Sequence, residues 1–336
     1  MAHRYDFASD NVAGAMPEAL DALVAANGGF AAGYGADHVG QRAADLIRQL
    51  LDADAEVRFV PSGTAANALT LATLALPHEA VICHEHSHVA TDETGAPGFF
   101  GSGVGLIKIG GAAGRMAVAP VAEAARMPDY AHHQSPAALS ITNTTEYGAR
   151  YAETEISALV GAAKAEGLRV HLDGARLANA VAGGFDPTSL ARLGFDIAVI
   201  GGTKAGSTPT EAIVLFDKAL ARRFDARMKH AGQLISKGRF LSAPWIGMLE
   251  SGAWARRAAH ANAMAAKLAA AMPFQIAHPV ESNAVFVEMD EPTLQRLHAS
   301  GWFVHRFIDG TVRFMCSWAT TDEAVESISA ALSGLV

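Results

Sequence analysis

Cysteine is almost missing from this 336-residue chain: there are two, Cys83 and Cys316, each set in an apolar stretch. That excludes a disulfide framework, and the two read as small buried residues of a reducing compartment. Also missing are an apolar run of the ~18–20 residues that span a bilayer and any apolar signal region at "MAHRYDFASDN". No Lys/Arg cluster offsets the net charge of −8, which argues against a nucleic-acid surface. Charged residues make up only 18% of the chain and hydrophobic ones 50%, too apolar for disorder and enough for a large core. No fixed repeat or low-complexity linker breaks the sequence. These absences describe a soluble, cytoplasmic protein with neither nucleic-acid nor membrane partners, of a length that suits roughly two domains.

What is present is alternation. "QRAADLIRQLL" has the spacing of an amphipathic helix, "EVRFVPSG" reads as a strand entering a turn, and "TAANALTLATLAL" as a mostly buried helix. The short apolar strands "AVICHE" and "AALSITNT" follow, then the helix "EISALVGAAKAEG" with its glycine stop, the strand "LRVHLD", the helix "ARLANAVA" and the strands "DIAVIGG" and "EAIVLFD". Alternation of this kind predicts an α/β sheet of parallel strands with helices on both faces. Beyond about residue 245 the pattern changes. "WIGMLESGAWARRAAHANAMAAKLAAAM" predicts one extended helix stopped by Pro273, followed by a small α+β unit. The expected domains are therefore 1–245, with an N-terminal arm to about residue 35, and 246–336.

Two lone charges end neighbouring strands: Asp173 in "VHLDGARL" and Lys204 in "IAVIGGTKAG". Singly they read as a helix cap and a solvated surface charge. As a pair at the carboxyl ends of parallel strands, where open sheets bind ligands, they suit pyridoxal phosphate. That cofactor needs a lysine amine and an acid that keeps its ring nitrogen protonated. Gly201 and Gly202 are expected to let the backbone approach the cofactor closely. "PSGTAANALTL" supplies a phosphate cup, with Gly63 and Thr64 at a helix start and the hydroxyls of Ser62, Thr64 and Thr203 as added donors.

With these residues in order, the chain resembles the low-specificity L-threonine aldolases, in the proteobacterial branch that includes phenylserine aldolases. The resemblance runs nearly end to end through "FASDN", "GYGADH", "FVPSGTAANAL", "SHVATDETGAPGFF", "TEYGARY", "HLDGARLANA", "GGTKAG", "AGQLISKGRFLSAPWIGMLESGAW" and "VRFMCSW". It implies the aspartate-aminotransferase fold (fold type I), with a large domain on a mostly parallel sheet and a small C-terminal α+β domain. It also implies pyridoxal 5′-phosphate as cofactor and a homotetramer, a dimer of dimers with its sites at the dimer interface. Carried over position by position, Lys204 is the Schiff-base lysine, Asp173 the partner of the ring nitrogen, and Arg176 a neighbour of the phenolic oxygen. Gly63 and Thr64 hold the phosphate, and His88 stacks on the ring. Ser9 and Arg313 take the substrate carboxylate, for which a guanidinium fork is well matched. Tyr34 is a pocket or interface residue, and Lys237 and Arg239, reached across a gap in the match, are candidates for a neighbouring subunit's phosphate. One departure is clear: where the family carries a histidine against the substrate hydroxyl, this chain has Thr145, which leaves His133, its neighbour His132, and Asp92 as candidates.

The chemistry so implied is reversible cleavage of an L-β-hydroxy-α-amino acid to glycine and an aldehyde, with His88, or else His133, as base. An L-phenylserine preference, or another fold-type-I lyase activity, stays open. A metal site is a remote alternative on "HEHSH", in which histidines 84, 86 and 88 recur at strand spacing. Metal-dependent hydrolases of that type order lysine before the final aspartate, the reverse of Asp173 and Lys204, so no metal is expected. "GSGVGLIKIGG" leads into a strand, not a helix, and is no dinucleotide site.

Overall fold

The computed structural model describes residues 3–336. In chain order the strands are β1 (Glu56–Val60), β2 (Glu79–His84), β3 (Gly105–Ile109), β4 (Ser135–Thr142), β5 (Arg169–Gly174), β6 (Ile197–Gly201), β7 (Glu211–Leu215), β8 (Ala284–Val287), β9 (His305–Arg306) and β10 (Val312–Met315). The helices are α1 (Pro17–Ala26), α2 (His38–Leu51), α3 (Gly63–Leu74), α4 (His88–Thr91), α5 (Ala96–Phe100), α6 (Val118–Ala125), α7 (Glu153–Ala165), α8 (Leu177–Ala182), α9 (Ser189–Leu193), α10 (Ala221–His230), α11 (Arg239–Glu250), α12 (Ala253–Ala270), α13 (Glu291–Ala299) and α14 (Asp322–Ser333).

Seven strands form the large sheet in the order β1-β7-β6-β5-β4-β2-β3. Every residue of β6 and β7 is buried, as expected of strands covered on both faces. The sheet is parallel except for β7, which runs against both β6 and β1. Residues 202–210 explain the reversal: nine residues without a helix are too few for a parallel crossover. The helix α3 is buried at every position from Ala65 to Leu74, because its apolar residues run right round it and it lies against the sheet. Cys83 and Cys316 are both free and buried.

The helix expected across 245–272 is two helices. α11 ends at Glu250, and Gly252 takes φ 69°, a left-handed turn that suits glycine, before α12 begins. The change of core comes later than residue 245. Trp245, Met248 and Trp254 belong to the large-domain core, whereas Met264, Ala265 and Leu268 of the same α12 belong to the core of the sheet β8-β10-β9. One helix therefore serves both units.

The N-terminal segment also joins them. Phe7 is buried in the small core and its carbonyl accepts the Met315 N–H, while Met16 is buried in the large core. Ser9, Asp10 and Asn11 are thereby suspended between the two.

Candidate active site

Two adjoining cavities open at the carboxyl ends of the parallel strands, and Asn11, His88 and Lys204 border both. The inner one, about 250 Å³, is bounded by the residues leading into α3, by Asp173 on β5, and by Thr203 and Lys204 on the turn after β6. The outer one, about 470 Å³, faces the small domain and holds Ser9, Asp92, Arg176 and Arg313. A larger cavity of about 510 Å³ lies elsewhere, between α2, β1 and the turn before α11. It gathers no comparable set of reactive groups.

In the inner cavity, Ser62 caps α3 by accepting the Ala65 N–H at 3.2 Å. The N–H groups of Gly63 and Thr64 are then among those that a helix start leaves without internal partners. A Cβ built on Gly63 would meet nothing within 4 Å, and Gly63 borders the inner cavity. Thr203 is more committed than expected: its hydroxyl oxygen accepts the Thr210 N–H at 3.1 Å.

Asp173 is buried. Its Oδ1 accepts the Ala175 N–H at 3.0 Å and its Oδ2 accepts from Asn67 Nδ2 at 2.9 Å. The second hydrogen of that amide goes to Glu93 Oε1 at 2.9 Å, and the same oxygen meets His88 Nδ1 at 2.9 Å. A chain of contacts thus joins Asp173, Asn67, Glu93 and His88. Burial pushes the Glu93 carboxyl above the usual range. The hydrogen bond to Glu93 raises the pKa of His88 despite partial burial. With Nδ1 engaged, the free ring nitrogen of His88 is Nε2.

In the outer cavity, Arg176 is buried and forked onto Asp10, Nε to Oδ2 at 2.7 Å and Nη2 to Oδ1 at 3.0 Å. Burial alone would raise the Asp10 carboxyl, but the charge and hydrogen bonds of Arg176 outweigh it and hold it low. Arg313, on β10, differs: its Nε is buried with no hydrogen-bond partner. Burial and the nearby positive charge of Arg176 lower its pKa. A guanidinium held this way fits a bidentate anion. Ser9 lies beside it in the cavity, its Oγ accepting the Asn11 N–H at 3.1 Å. Asp92 is at the exposed mouth and accepts from the Thr91 hydroxyl at 2.7 Å.

Five candidates lie away from both cavities. His133, with His132, is exposed on the loop before β4, where His133 Nε2 meets the Pro128 carbonyl at 3.0 Å. That loop is at the amino end of an eight-residue strand, roughly 25 Å from the carboxyl-end rim at ~3.3 Å per residue, so the chain does not bring His133 to its own site. Tyr34, Lys237 and Arg239 instead share one neighbourhood: the Tyr34 N–H donates to the Ser236 carbonyl, and Tyr34 lines the 510 Å³ cavity. Arg239 donates to the Gly28 carbonyl. Thr145 holds loops together, donating to the Ala113 carbonyl at 2.8 Å. Its neighbour Glu146 is the one in the outer cavity, 3.9 Å from Arg176.

One local expectation is corrected. Gly201 and Gly202 do not serve approach to a ligand. A Cβ on Gly201 would fall 2.1 Å from the Ala175 carbonyl, and one on Gly202 would fall 2.5 Å from the Thr210 carbonyl and 2.8 Å from Trp245. They let the protein pack on itself. The three histidines of "HEHSH" diverge, because β2 ends at His84. His84 meets the Gly111 carbonyl, His86 the Tyr147 hydroxyl and His88 Glu93.

Asp10, Asn67, Glu93 and Glu146 join the site without being among the sequence candidates. A signal existed for Asn67, four residues into α3 and so on the same side as Gly63. Asp10 lies in "FASDN" and Glu93 in "SHVATDETGAPGFF", but nothing local aims them at their partners.

The family model described as "Beta-eliminating lyase" matches residues 6–292. A low specificity L-threonine aldolase of Pseudomonas sp. is 45% identical over 331 residues, 96% of each chain. That of Pseudomonas aeruginosa is 43% identical over 334 residues, 97% of this chain and 96% of its own. Among solved structures, threonine aldolase from Leishmania major superposes with a TM-score of 0.92 at 31% identity, covering 99% of both chains. A serine palmitoyltransferase solved with pyridoxal phosphate shares the fold alone: TM-score 0.70 and 17% identity, over 99% of this chain and 86% of its own.

Proposed function

On the premise that the chain belongs to the beta-eliminating lyase family, and within it to the threonine aldolases, we propose that it is a pyridoxal-phosphate-dependent carbon–carbon lyase. It cleaves L-threonine, L-allo-threonine and related L-β-hydroxy-α-amino acids reversibly to glycine and an aldehyde. Its fold is fold type I of the pyridoxal phosphate enzymes. The observation that carries this reading is the convergence of Lys204, Asp173 and the start of α3 on one cavity.

The residues present fit the cofactor. Ser62, Gly63 and Thr64 would hold its phosphate, Thr203 would border it, Asp173 would pair with its ring nitrogen, and Lys204 would supply the amine. Bound there, pyridoxal phosphate supplies an electron sink for the carbon–carbon bond that breaks. The rest falls to the chain. Arg313, with Ser9, binds the substrate carboxylate through its free guanidinium edge and so orients the amino acid. His88 takes the β-hydroxyl proton at Nε2, because Glu93 engages Nδ1 and fixes the ring. Asp10 keeps Arg176 charged and still beside the reacting centre. Asp92 and Glu146 border the space for the substrate side chain.

A preference for aromatic side chains has one observation in its favour: Phe307 and Ile308 line the outer cavity. Work in the cytoplasm as a dimer of dimers, with Tyr34, Lys237 and Arg239 at the subunit contact, belongs to the same reading. Its support is that these three residues cluster in one exposed neighbourhood apart from the chain's own site. Among the described residues no helix is long and apolar enough to cross a membrane.

The test is release of glycine and aldehyde by the purified, cofactor-loaded protein from L-threonine, L-allo-threonine, both L-phenylserine diastereomers and D-threonine. Release from L-forms alone is expected, and the rates rank the aldehydes. A protein that binds the cofactor at Lys204 yet frees glycine from none of them would sink the aldolase assignment.

A further inference from the structure

Glu211 lines the same cavity as Ser62, Gly63, Thr64 and Lys204, yet it has no part in the chemistry above. It is the first residue of β7, and β7 lies between the two strands that deliver the site. Across one edge Glu211 pairs with Gly201, from which the chain runs on to Lys204. Across the other it pairs with Val60, from which the chain enters the cup. The side chain is buried, and its Oε2 accepts the Gly202 N–H at 2.8 Å. One carboxyl group therefore ties down the turn that carries Lys204, beside the place where a helix start and hydroxyl groups gather for an anion.

A carboxylate there would repel an anion in the same cavity, because like charges disfavour each other and burial of the Glu211 side chain weakens their screening. The surroundings offer little compensation. The β6 turn brings the cation Lys204, β5 brings the acid Asp173, and α4 brings His88. The start of α3 adds only the positive end of its dipole, and the adjoining Val60 and Pro61 carry no charge. On the α11 side the contacts are neutral: Trp245 Nε1 donates to the Thr210 hydroxyl, which donates to the Leu241 carbonyl. Burial already pushes the Glu211 carboxyl up to about 7, against the pull of hydrogen bonds from Thr203 and Gly202 and the charge of Lys204.

We propose that Glu211 is a proton-coupled positioning residue: it clamps the Lys204 turn and is carried as the neutral acid whenever a phosphate monoester fills the cup. Loading the site then takes up one proton from solvent at this carboxyl group, and no other bond changes. The neutral acid keeps an oxygen to accept the Gly202 N–H and gains an O–H donor. The inference rests on the pyridoxal phosphate reading above. By linkage, phosphate affinity falls by up to about tenfold per pH unit above the carboxyl's own pKa.

The test is binding of pyridoxine 5′-phosphate, which has no aldehyde to bond Lys204, to the whole cofactor-free chain from about pH 6.5 to about pH 9. At the acid end Glu211→Gln is expected to match the wild type within roughly threefold; at the alkaline end the wild type should be weaker than the variant by on the order of tenfold or more. Parallel profiles, or a variant weaker by one factor at every pH, would overturn the proposal and leave the cofactor site standing. Should the variant not fold, calorimetry of inorganic phosphate binding to the wild type at about pH 8, in two buffers of different ionisation heat, decides. Uptake of about one proton supports the proposal, and uptake of none overturns it. Failure of both ligands to bind at any pH would sink the cofactor reading together with the proposal.

Discussion

The two rims of the large sheet use the same residue types and leave them in different states. At the amino ends of β5 and β6, Asp196 accepts from Lys164 at 2.6 Å, from Arg169 at 2.9 Å and from the Val170 N–H at 2.6 Å, while Arg169 also meets Asp217 at 2.5 Å. Every charge in that group has an opposite partner. At the carboxyl-end rim, Asp10 and Arg176 are matched in the same way, but Arg313, which lines the outer cavity, has its Nε buried with no hydrogen-bond partner. Unpaired buried polar atoms cost about 1–3 kcal/mol each, so they persist where something else, such as a ligand, meets them. One rim is closed by its own charges, and the other is left open for a molecule that is not protein.

Substitutions can break this contrast. Lys204→Ala should have the largest effect, lowering kcat by on the order of 10³-fold or more with the circular dichroism spectrum unchanged; an active variant would refute the site. His88→Ala comes next, at roughly 10²–10⁴-fold in kcat. Glu93→Gln is expected to cost less, about tenfold or more, and to move the pH profile. Glu93 raises the His88 pKa, and in its proposed role as base His88 works as neutral imidazole, so the acid limb of kcat/KM should shift to lower pH in the variant. An unmoved limb would separate Glu93 from the base. Arg313→Lys should raise KM by roughly 10–100-fold with kcat less affected, because a single ammonium cannot replace a fork. The smallest effect belongs to the closed rim. Asp196→Asn should cost about 1 kcal/mol or less in urea unfolding, because Lys164 and Arg169 are partly exposed, and leave kcat/KM unchanged. A catalytic defect there would erase the difference between the rims.

Much of this was legible in one dimension. The apolar runs of β5 and β6 end at Asp173 and just before Lys204, and the serine–glycine step before α3 marks a capped helix start. Spacing within a single element carries such information. What spacing misassigned were matters of packing. Gly201 and Gly202 look alike whether they face a ligand or a neighbouring carbonyl, and here each would put a Cβ into backbone. His133 is near Thr145 in sequence, but β4 separates them along its whole length.

By its pattern alone the sequence determined an α/β sheet, a lysine and an acid at neighbouring strand ends, and a helix start able to cradle an anion. The tertiary structure alone decided which charges were already spoken for. Arg176 is satisfied by Asp10 from 166 residues away, while Arg313 keeps a free edge. The reason is physical: helix and strand formation follow local periodicity, but whether a buried charge is paired depends on two cores packing together, with the segment from Phe7 to Met16 held between them.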